Sequence, residues 1–317
     1  MSSTAPSSLD LLGLVLPIPT PFDSSGNLDL KALRSNINKW NKTGISGYVV
    51  LGSTGERVNL DEQEYLEVIE TARMEVPRGP DGLRFIVGAG QQSTRGTINE
   101  IKEAAARGAD AALVITPHFY RRAISAQSLV AHYTNVADAA SIPIILYSMP
   151  DLTGVKIEPE TVAQLSSHPN IIGIKDSSTD LTALSQTVKL VPENFAVLTG
   201  NGTVLCQALQ AGARGAILAV GCVVPRLAIE ILQAVKAYDY ERSEDLQEQL
   251  TPLAQAVTTK YGIGGLKAAL DILGYQGGEV RAPLQLPDRT ARKEIEGVLQ
   301  AAGTATQISL SHMTTPG

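Results

Sequence analysis

The sequence predicts an α/β protein in which eight parallel strands close into a (β/α)8, or TIM, barrel with a helical C-terminal extension. Short β-branched runs recur at regular spacing, and a helix-like stretch follows each of them. The runs are almost continuously apolar, which is typical of parallel strands buried on both faces. Strand–helix alternation predicts parallel strands joined by right-handed crossovers, and eight such units favour a closed barrel over an open sheet.

The predicted strands share aliphatic and β-branched residues bounded by Gly, Pro, Ser or Asn. They are Leu14–Thr20, Tyr48–Ser53, Phe85–Gly90, Ala111–Pro117, Pro143–Met149, Ile171–Ser177, Phe195–Asn201 and Gly215–Gly221. Amphipathic windows lie between them, and most begin at Ser, Thr or Asp, the residues that cap helix N-termini. These windows include Asp61–Glu75, Thr94–Arg107, Ser125–Ala139 and Thr179–Leu190.

The pattern changes after the eighth strand. Three helical stretches follow with no strand between them, at Pro225–Tyr238, Ser243–Thr258 and Gly262–Leu273. We therefore expect four parts: a flexible N-terminus (1–10), the barrel (11–224), a C-terminal helical extension (225–302) and a flexible tail (303–317).

Composition excludes several classes of protein. A net charge of −6 argues against a nucleic-acid surface. No stretch approaches the roughly 18 apolar residues of a membrane-spanning helix, and the first ten residues lack the pattern of a secretory signal. Cys206 and Cys222 cannot form a disulfide framework and are expected to be small buried hydrophobes. We expect a cytoplasmic protein that binds neither membranes nor nucleic acid.

Lys175 is the clearest functional signal, because it lies in the apolar run Ile171–Ser177. Burying an unpaired ammonium group is costly, and a lysine relieves the cost by losing its proton, so we expect a lowered pKa. A neutral amine attacks carbonyl carbon, which makes Lys175 a candidate Schiff-base former. The alternative is a lysine whose stem lies along the strand while its head reaches solvent.

Polar residues follow other predicted strands at the end where barrel active sites lie. Gly52-Ser53-Thr54-Gly55 could bring backbone and hydroxyl donors to a carboxylate, although it is also typical of a plain strand-to-helix turn. Tyr147, at the end of the fifth strand, could exchange protons with a substrate hydroxyl, or could be a core tyrosine with a satisfied hydroxyl. Its place corresponds to that of Lys175 on the next strand, so their side chains can converge.

Three motifs together resemble the N-acetylneuraminate lyase / dihydrodipicolinate synthase family of class I Schiff-base aldolases. They are Gly52-Ser53-Thr54-Gly55-Glu56, Tyr147-Ser148-Met149-Pro150 and Gly173-Ile174-Lys175-Asp176. The resemblance runs from about Leu14 to Leu299.

The resemblance implies a role for each matching residue. Lys175 would form an imine with the keto carbon of pyruvate or another 2-oxo acid, with no metal and no other cofactor. Ser53 and Thr54 would bind the adjacent carboxylate, and Tyr147 would be the acid/base, aided by Ser53. Tyr120 would be the loop aromatic that family members supply from a neighbouring subunit, which implies a homotetramer or homodimer. The backbone-lining positions beside the imine would be Gly200 and Ile217.

The second substrate is less clearly indicated. Dihydrodipicolinate synthases carry an arginine for the carboxylate of aspartate semialdehyde where this chain has Leu152, which disfavours that activity. The Tyr-Ser-x-Pro form, the His118–Arg122 loop and Lys175-Asp176-Ser177 resemble the 4-hydroxy-2-oxoglutarate aldolases more closely. Arg122 could then hold a distal carboxylate, or be a solvated loop residue. A 2-keto-3-deoxy sugar acid aldolase is the other alternative.

Rival chemistries fit the sequence less well. A metal-dependent aldolase needs clustered ligands, whereas the four histidines are scattered without ligand spacing. A phosphate-binding barrel could use Gly200-Asn201-Gly202, but it would leave Lys175 and the second-strand loop unexplained.

Overall fold

Eight parallel strands form the centre of the computed structural model, which describes residues 9–306 of the chain and the side chains up to residue 303. Within that range the strands pair in chain order and the last returns to the first, so the predicted (β/α)8 barrel is confirmed. The strands are β1 (Gly13–Pro17), β2 (Gly47–Val50), β3 (Arg84–Ala89), β4 (Ala111–Ile115), β5 (Ile144–Ser148), β6 (Ile171–Asp176), β7 (Ala196–Thr199) and β8 (Gly215–Ile217).

Helices surround the barrel and extend beyond it. They are α1 (Leu30–Trp40), α2 (Glu62–Glu75), α3 (Thr94–Ala106), α4 (Ala126–Ala139), α5 (Pro150–Thr153), α6 (Pro159–Leu165), α7 (Leu181–Leu190), α8 (Leu205–Gln210), α9 (Pro225–Lys236), α10 (Tyr240–Ala254), α11 (Gly262–Ile272) and α12 (Arg289–Thr306). A π-helical turn, Gln255–Lys260, joins α10 to α11.

Side-chain caps explain where four barrel helices begin, and two of the capping residues, Asp61 and Ser125, are those on which the predicted helical windows begin. The Asp61 carboxylate accepts from the backbone N–H of Glu64, and the Asp61 backbone N–H donates to the Glu64 carboxylate, which forms a capping box. Ser125 caps α4 in the same way, while Ser93 and Asp180 cap α3 and α7 through single bonds. Each cap satisfies a backbone N–H that has no partner within its helix.

The apolar strands are buried on both faces. Alternate residues fill the barrel interior, where Val15, Val49, Ile86, Leu113 and Ile145 belong to one cluster. The other strand residues pack outward against the helices in two larger clusters. This alternation is what directs Tyr147 and Lys175 into the barrel.

The predicted strands extend too far at their C-terminal ends. The second strand was expected to reach Ser53 but ends at Val50, because Leu51 has φ 59° and leaves the extended conformation. Residues 52–56 form a loop that we call the β2 loop. Leu51, directly before it, and Glu56 (φ 54°), its last residue, are non-glycine residues in the left-handed region.

The C-terminal helices combine two tasks. Helix α9 packs on β1 and completes the ring around the barrel, α10 packs on α9, and α12 packs on both α10 and α11. Helix α12 runs to Thr306, four residues past the predicted limit of 302. The rest of the predicted tail and nearly all of the predicted flexible N-terminus lie outside the described residues.

Candidate active site

Tyr147 and Lys175 occupy paired positions on adjacent strands. The β5–β6 register places Tyr147 opposite Lys175, as the sequence predicts. Both side chains point into the barrel and are almost fully buried, at 3% and 4% exposure. The Lys175 Nζ lies 4.2 Å from the centre of the Tyr147 ring, a favourable position for a cation over an aromatic face.

The β2 loop brings a third group to this pair. The hydroxyl oxygens of Ser53 and Tyr147 share a hydrogen bond of 2.9 Å, although the two residues are 94 positions apart in the chain. Thr54 is buried beside Ser53 and also lines the cavity described below. The predicted set Lys175, Tyr147, Ser53 and Thr54 is therefore assembled within one chain.

The surroundings of Tyr147 favour its ionised form. Burial on its own raises the pKa of this phenol, but the positive charge of Lys175 and the polar side chains of Ser53, Lys175 and Ser177 around the hydroxyl together outweigh burial, so the pKa of Tyr147 lies below its ordinary value. A phenol with a lowered pKa releases and recovers a proton more readily at neutral pH, as a general acid/base requires.

A cavity of about 460 Å³ opens above these residues at the carboxyl end of the barrel, within the usual size of ligand pockets, roughly 300–1,000 Å³. Gly200 forms part of its wall for a steric reason. A Cβ at this position would lie 2.5 Å from Lys175 Cε and closer still to Ser177 Oγ, so only glycine leaves the lysine its room.

Ser177 is a further cavity residue, which is predicted only as part of the Lys175-Asp176-Ser177 motif and without a role of its own. Its hydroxyl oxygen is buried and has no hydrogen-bond partner among the described residues. The signal was available, because Ser177 is two positions after Lys175 and side chains two apart on a strand share a face. An unpartnered hydroxyl beside the lysine can donate to an oxygen of a bound ligand.

Comparison with known proteins agrees with this geometry. A profile of the dihydrodipicolinate synthetase family matches residues 10–302. The chain belongs to this family. Family members work through a covalent Schiff base with pyruvate, and this chain, as a member, is a pyruvate-dependent carbon–carbon lyase.

Relatives span nearly the whole chain. A protein from Methanothrix thermoacetophila named 4-hydroxy-tetrahydrodipicolinate synthase is 37% identical over 86% of this chain and 90% of its own length. A protein of the same name from Exiguobacterium sp. is 32% identical over 91% of this chain and 97% of its own length.

Solved structures show the same fold. A dihydrodipicolinate synthase superposes with a TM-score of 0.84 at 31% identity, covering 92% of this chain and 99% of its own. A prophage protein of the dihydrodipicolinic acid synthase family from E. coli K12, solved in complex with pyruvate, has a TM-score of 0.86 at 28% identity, with 93% and 99% covered.

Other predicted residues of this family member lie away from the cavity. Tyr120 is 72% exposed and packs edge-to-face on Phe119. Arg122 lies in the exposed turn Arg121–Ala123, and neither residue lines the cavity of its own chain. Ile217 is fully buried in the cluster inside the barrel, beside rather than within the cavity wall.

The outer wall of the cavity comes from α5 and the C-terminal segments. Leu152, at the place of the arginine of dihydrodipicolinate synthases, is 63% exposed and stands next to Asp151. The π-helical turn adds Thr258 and Thr259, and Tyr261 follows them. These three residues belong to the predicted C-terminal helical extension, and no local pattern shows that α10 and α11 lead back to the barrel mouth.

None of the described helices is long and apolar enough to cross a membrane.

Proposed function

We propose that the protein is a Schiff-base aldolase that cleaves or forms a 2-oxo acid with pyruvate as one partner, in the manner of a 4-hydroxy-2-oxoglutarate aldolase. The observation that carries the proposal is the assembly of a buried amine, a phenol of lowered pKa and a hydroxyl in one cavity. Such an assembly supplies the nucleophile and the acid/base that imine chemistry needs.

The residues divide the reaction as follows. The Lys175 amine, once it has given up its proton, adds to carbon 2 of the 2-oxo acid, and the return of that proton as water leaves gives a protonated imine. The bond between carbons 3 and 4 breaks, its electron pair moves to carbon 3 as an enamine, and Tyr147 takes the proton of the carbon 4 hydroxyl as the aldehyde forms. Protonation of carbon 3 and hydrolysis by water release pyruvate and the free lysine. The reaction is redox-neutral, and the proposal requires no cofactor besides the lysine.

Binding of the 2-oxo acid is assigned to the β2 loop and its neighbours. Ser53 and Thr54 would hold the carboxylate next to the imine, and Gly200 would leave room for the lysine. Tyr120 would be contributed to another copy in a homo-oligomer, which agrees with its exposed ring.

Two observations bear on the second substrate. Among the described residues that line the cavity, Lys175 is the only cation, and Asp151 stands at the mouth beside Leu152. Leu152 at the place of the arginine disfavours aspartate semialdehyde, and the described residues of the wall include no second cation for the distal carboxylate of 4-hydroxy-2-oxoglutarate either. The cavity wall instead offers the hydroxyls of Ser177 and Thr259, which can donate to the distal carboxylate of 4-hydroxy-2-oxoglutarate.

Two alternatives have support of their own. The same hydroxyls suit a 2-keto-3-deoxy sugar acid, which carries several hydroxyl groups. The relatives named 4-hydroxy-tetrahydrodipicolinate synthase support condensation of pyruvate with aspartate semialdehyde.

Reductive trapping tests the proposal. Incubation with pyruvate and borohydride should give a protein heavier by one reduced pyruvate, and peptide mass spectrometry should place the adduct on Lys175. No adduct, or an adduct only on other lysines, would exclude the class I mechanism.

A substrate panel then ranks the candidate activities. It measures pyruvate release from 4-hydroxy-2-oxoglutarate and from keto-deoxy sugar acids, and condensation of pyruvate with aspartate semialdehyde. Arg122→Ala is the matched variant: unchanged selectivity between dicarboxylic and neutral substrates would exclude Arg122 as the distal clamp.

A further inference from the structure

Lys267 is a second buried lysine, and its ammonium group is completely occupied. The residue lies on α11 and has no exposed surface. Its Nζ donates to Glu56 Oε1 at 2.6 Å, to the carbonyl of Thr20 at 2.7 Å and to the carbonyl of Glu279 at 2.5 Å. An ammonium group has three N–H donors, so each of them has an acceptor. This lysine has no donor left to offer a substrate.

Glu56 is the last residue of the β2 loop, directly after Ser53-Thr54-Gly55. Its backbone lies in the left-handed region at φ 54°, which disfavours a residue with a side chain unless something else holds it there. The hydrogen bonds of its buried carboxylate stabilise this conformation. Besides Lys267, it accepts from the backbone N–H of Arg281 at 3.0 Å and from Asn59 Nδ2 at 3.1 Å.

Thr20 ties Lys267 to the other side of the same loop. Its carbonyl accepts from Lys267 Nζ, while its own hydroxyl donates to the carbonyl of Gly55 at 2.7 Å. Lys267 is therefore linked to two successive residues of the loop, to Glu56 directly and to Gly55 through Thr20. These are the residues that immediately follow Ser53 and Thr54.

Helix α11 meets the cavity as well as the loop. Ile263 and Leu266 line the cavity, and the next residue in the chain is Lys267. The helix therefore packs beside the substrate space with one face and holds the loop from behind through its lysine.

We propose that the buried Glu56–Lys267 ion pair positions Ser53 and Thr54 for the carboxylate of the 2-oxo acid. The proposal rests on the proposed function, because it assigns this pair to the binding of that substrate. Neither charged group lines the cavity, so both are positioning residues. Loss of the pair moves the carboxylate donors while Lys175 and the β5–β6 register stay in place. The affinity for pyruvate falls, and the rate of imine formation at saturating pyruvate changes much less.

Four variants of the full-length protein test this. Lys267→Met and Glu56→Gln each remove one charge of the pair, and the double variant removes both. Thr20→Val removes only the hydrogen bond to Gly55. Borohydride trapping over a range of pyruvate concentrations gives the half-saturating concentration and the limiting rate, and urea unfolding gives the stability of each variant.

Arg73→Met is the matched control. Arg73 is also buried, donates to the carbonyls of Val76 and Gly108, and lies over the ring of Phe85 at 4.7 Å, much as Lys267 lies over that of Phe22 at 4.6 Å. It has no bond to the β2 loop. Its loss should destabilise the fold without changing the half-saturating concentration of pyruvate.

We expect Lys267→Met and Glu56→Gln to raise the half-saturating concentration roughly ten- to a hundredfold, since a small misplacement of binding groups has effects of that size. Thr20→Val should raise it about threefold, the worth of one ordinary hydrogen bond. The double variant should be more stable than either single one, because no unpaired charge is left buried, yet it should still bind pyruvate weakly. If the ion pair had a purely structural role, stability and pyruvate binding would both recover in the double variant.

Three results would overturn the inference: wild-type pyruvate binding in Glu56→Gln and Thr20→Val, an equal rise in Arg73→Met, or full recovery of binding in the double variant. If Lys267→Met does not fold, Glu56→Gln and Thr20→Val decide the question. A wild-type protein that forms no pyruvate adduct would instead overturn the proposed function, and the inference with it.

Discussion

Lys175 and Lys267 are both buried, yet their ammonium groups have opposite surroundings. Lys267 is paired with Glu56 and hydrogen-bonded to two carbonyls, so all three of its N–H donors have acceptors. Lys175 lies over an aromatic ring at the base of an open cavity and makes no ion pair with any described residue. Both lysine side chains are buried, but only Lys175 has a nitrogen that can react with a ligand in the cavity.

The difference shows that burial alone does not identify a catalytic lysine. A buried ammonium whose three donors are all occupied is part of the structure. A buried amine that faces a cavity, beside a phenol that can exchange protons, is suited to covalent chemistry. The two lysines should therefore respond in opposite ways to the same substitution.

The largest expected effect separates the two lysines directly. Lys175→Met should lower pyruvate-dependent activity by roughly 10³-fold or more, because the nucleophile is lost. Its stability should be unchanged or higher, since an apolar side chain replaces an uncompensated amine. Lys267→Met should lose about 3–5 kcal/mol of unfolding free energy, because it leaves Glu56 buried without its partner. Activity assays and urea unfolding measure the two effects, and the exposed Lys31→Met is the control. Equal loss of stability in both variants would contradict the comparison.

The next effect concerns the phenol beside Lys175. Tyr147→Phe keeps the ring under the amine and removes only the hydroxyl, so it should lower kcat by roughly 10²–10³-fold, the usual worth of a general acid/base. Because Lys175 remains, pyruvate should still be trapped by borohydride. Ser53→Ala should have a smaller effect on kcat, since it removes the partner of the phenol and not the phenol itself. Wild-type turnover in Tyr147→Phe would exclude the proton transfer assigned to it.

A third effect tests whether Lys175 needs free space. Gly200→Ala places a methyl group 2.5 Å from Lys175 Cε, so the lysine must leave its position beside Tyr147 and Gly200. We expect the rate of imine trapping to fall by about tenfold or more, as small displacements of reacting groups can produce. Gly297→Ala on α12 is the matched control, because no atom lies within 4 Å of its added methyl group. An unchanged trapping rate in Gly200→Ala would show that the amine does not depend on this space.

The sequence was sufficient for the fold and for the centre of the site. Periodic apolar runs predict strands locally, and corresponding positions on neighbouring parallel strands predict that Tyr147 meets Lys175, which the register confirms. The strand ends were less predictable, because the left-handed backbone of Leu51 leaves no trace in a run of apolar residues.

The ion pair that holds the β2 loop could not be predicted from local sequence patterns. Glu56 and Lys267 are 211 positions apart, and α11 shows only an amphipathic pattern with a lysine in it. Cavity residues from the π-helical turn are hidden for the same reason. Tyr120 is a different case, since its predicted place depends on a second copy of the chain and a single chain leaves it exposed.

The smallest expected effect concerns stability alone. It involves a third buried basic side chain, that of His132. His132 shares a hydrogen bond of 3.0 Å with Thr94 Oγ1, its other ring nitrogen has no partner among the described residues, and burial lowers its pKa from 6.5 to about 4. It has neither the charged partner of Lys267 nor the cavity of Lys175.

Because the pKa of His132 is lower in the folded protein than in the unfolded chain, the unfolded chain binds the proton first as pH falls. Its contribution to stability is therefore complete above pH 6.5 and is lost between pH 6.5 and about 4. The whole window corresponds to about 3 kcal/mol. His132→Asn, which can keep the bond to Thr94, should flatten the rise of unfolding free energy across that window and leave pyruvate trapping unchanged. Urea unfolding at several pH values measures this slope, and an equal slope in wild type and variant would show that burial of an uncompensated base is not what limits stability in acid.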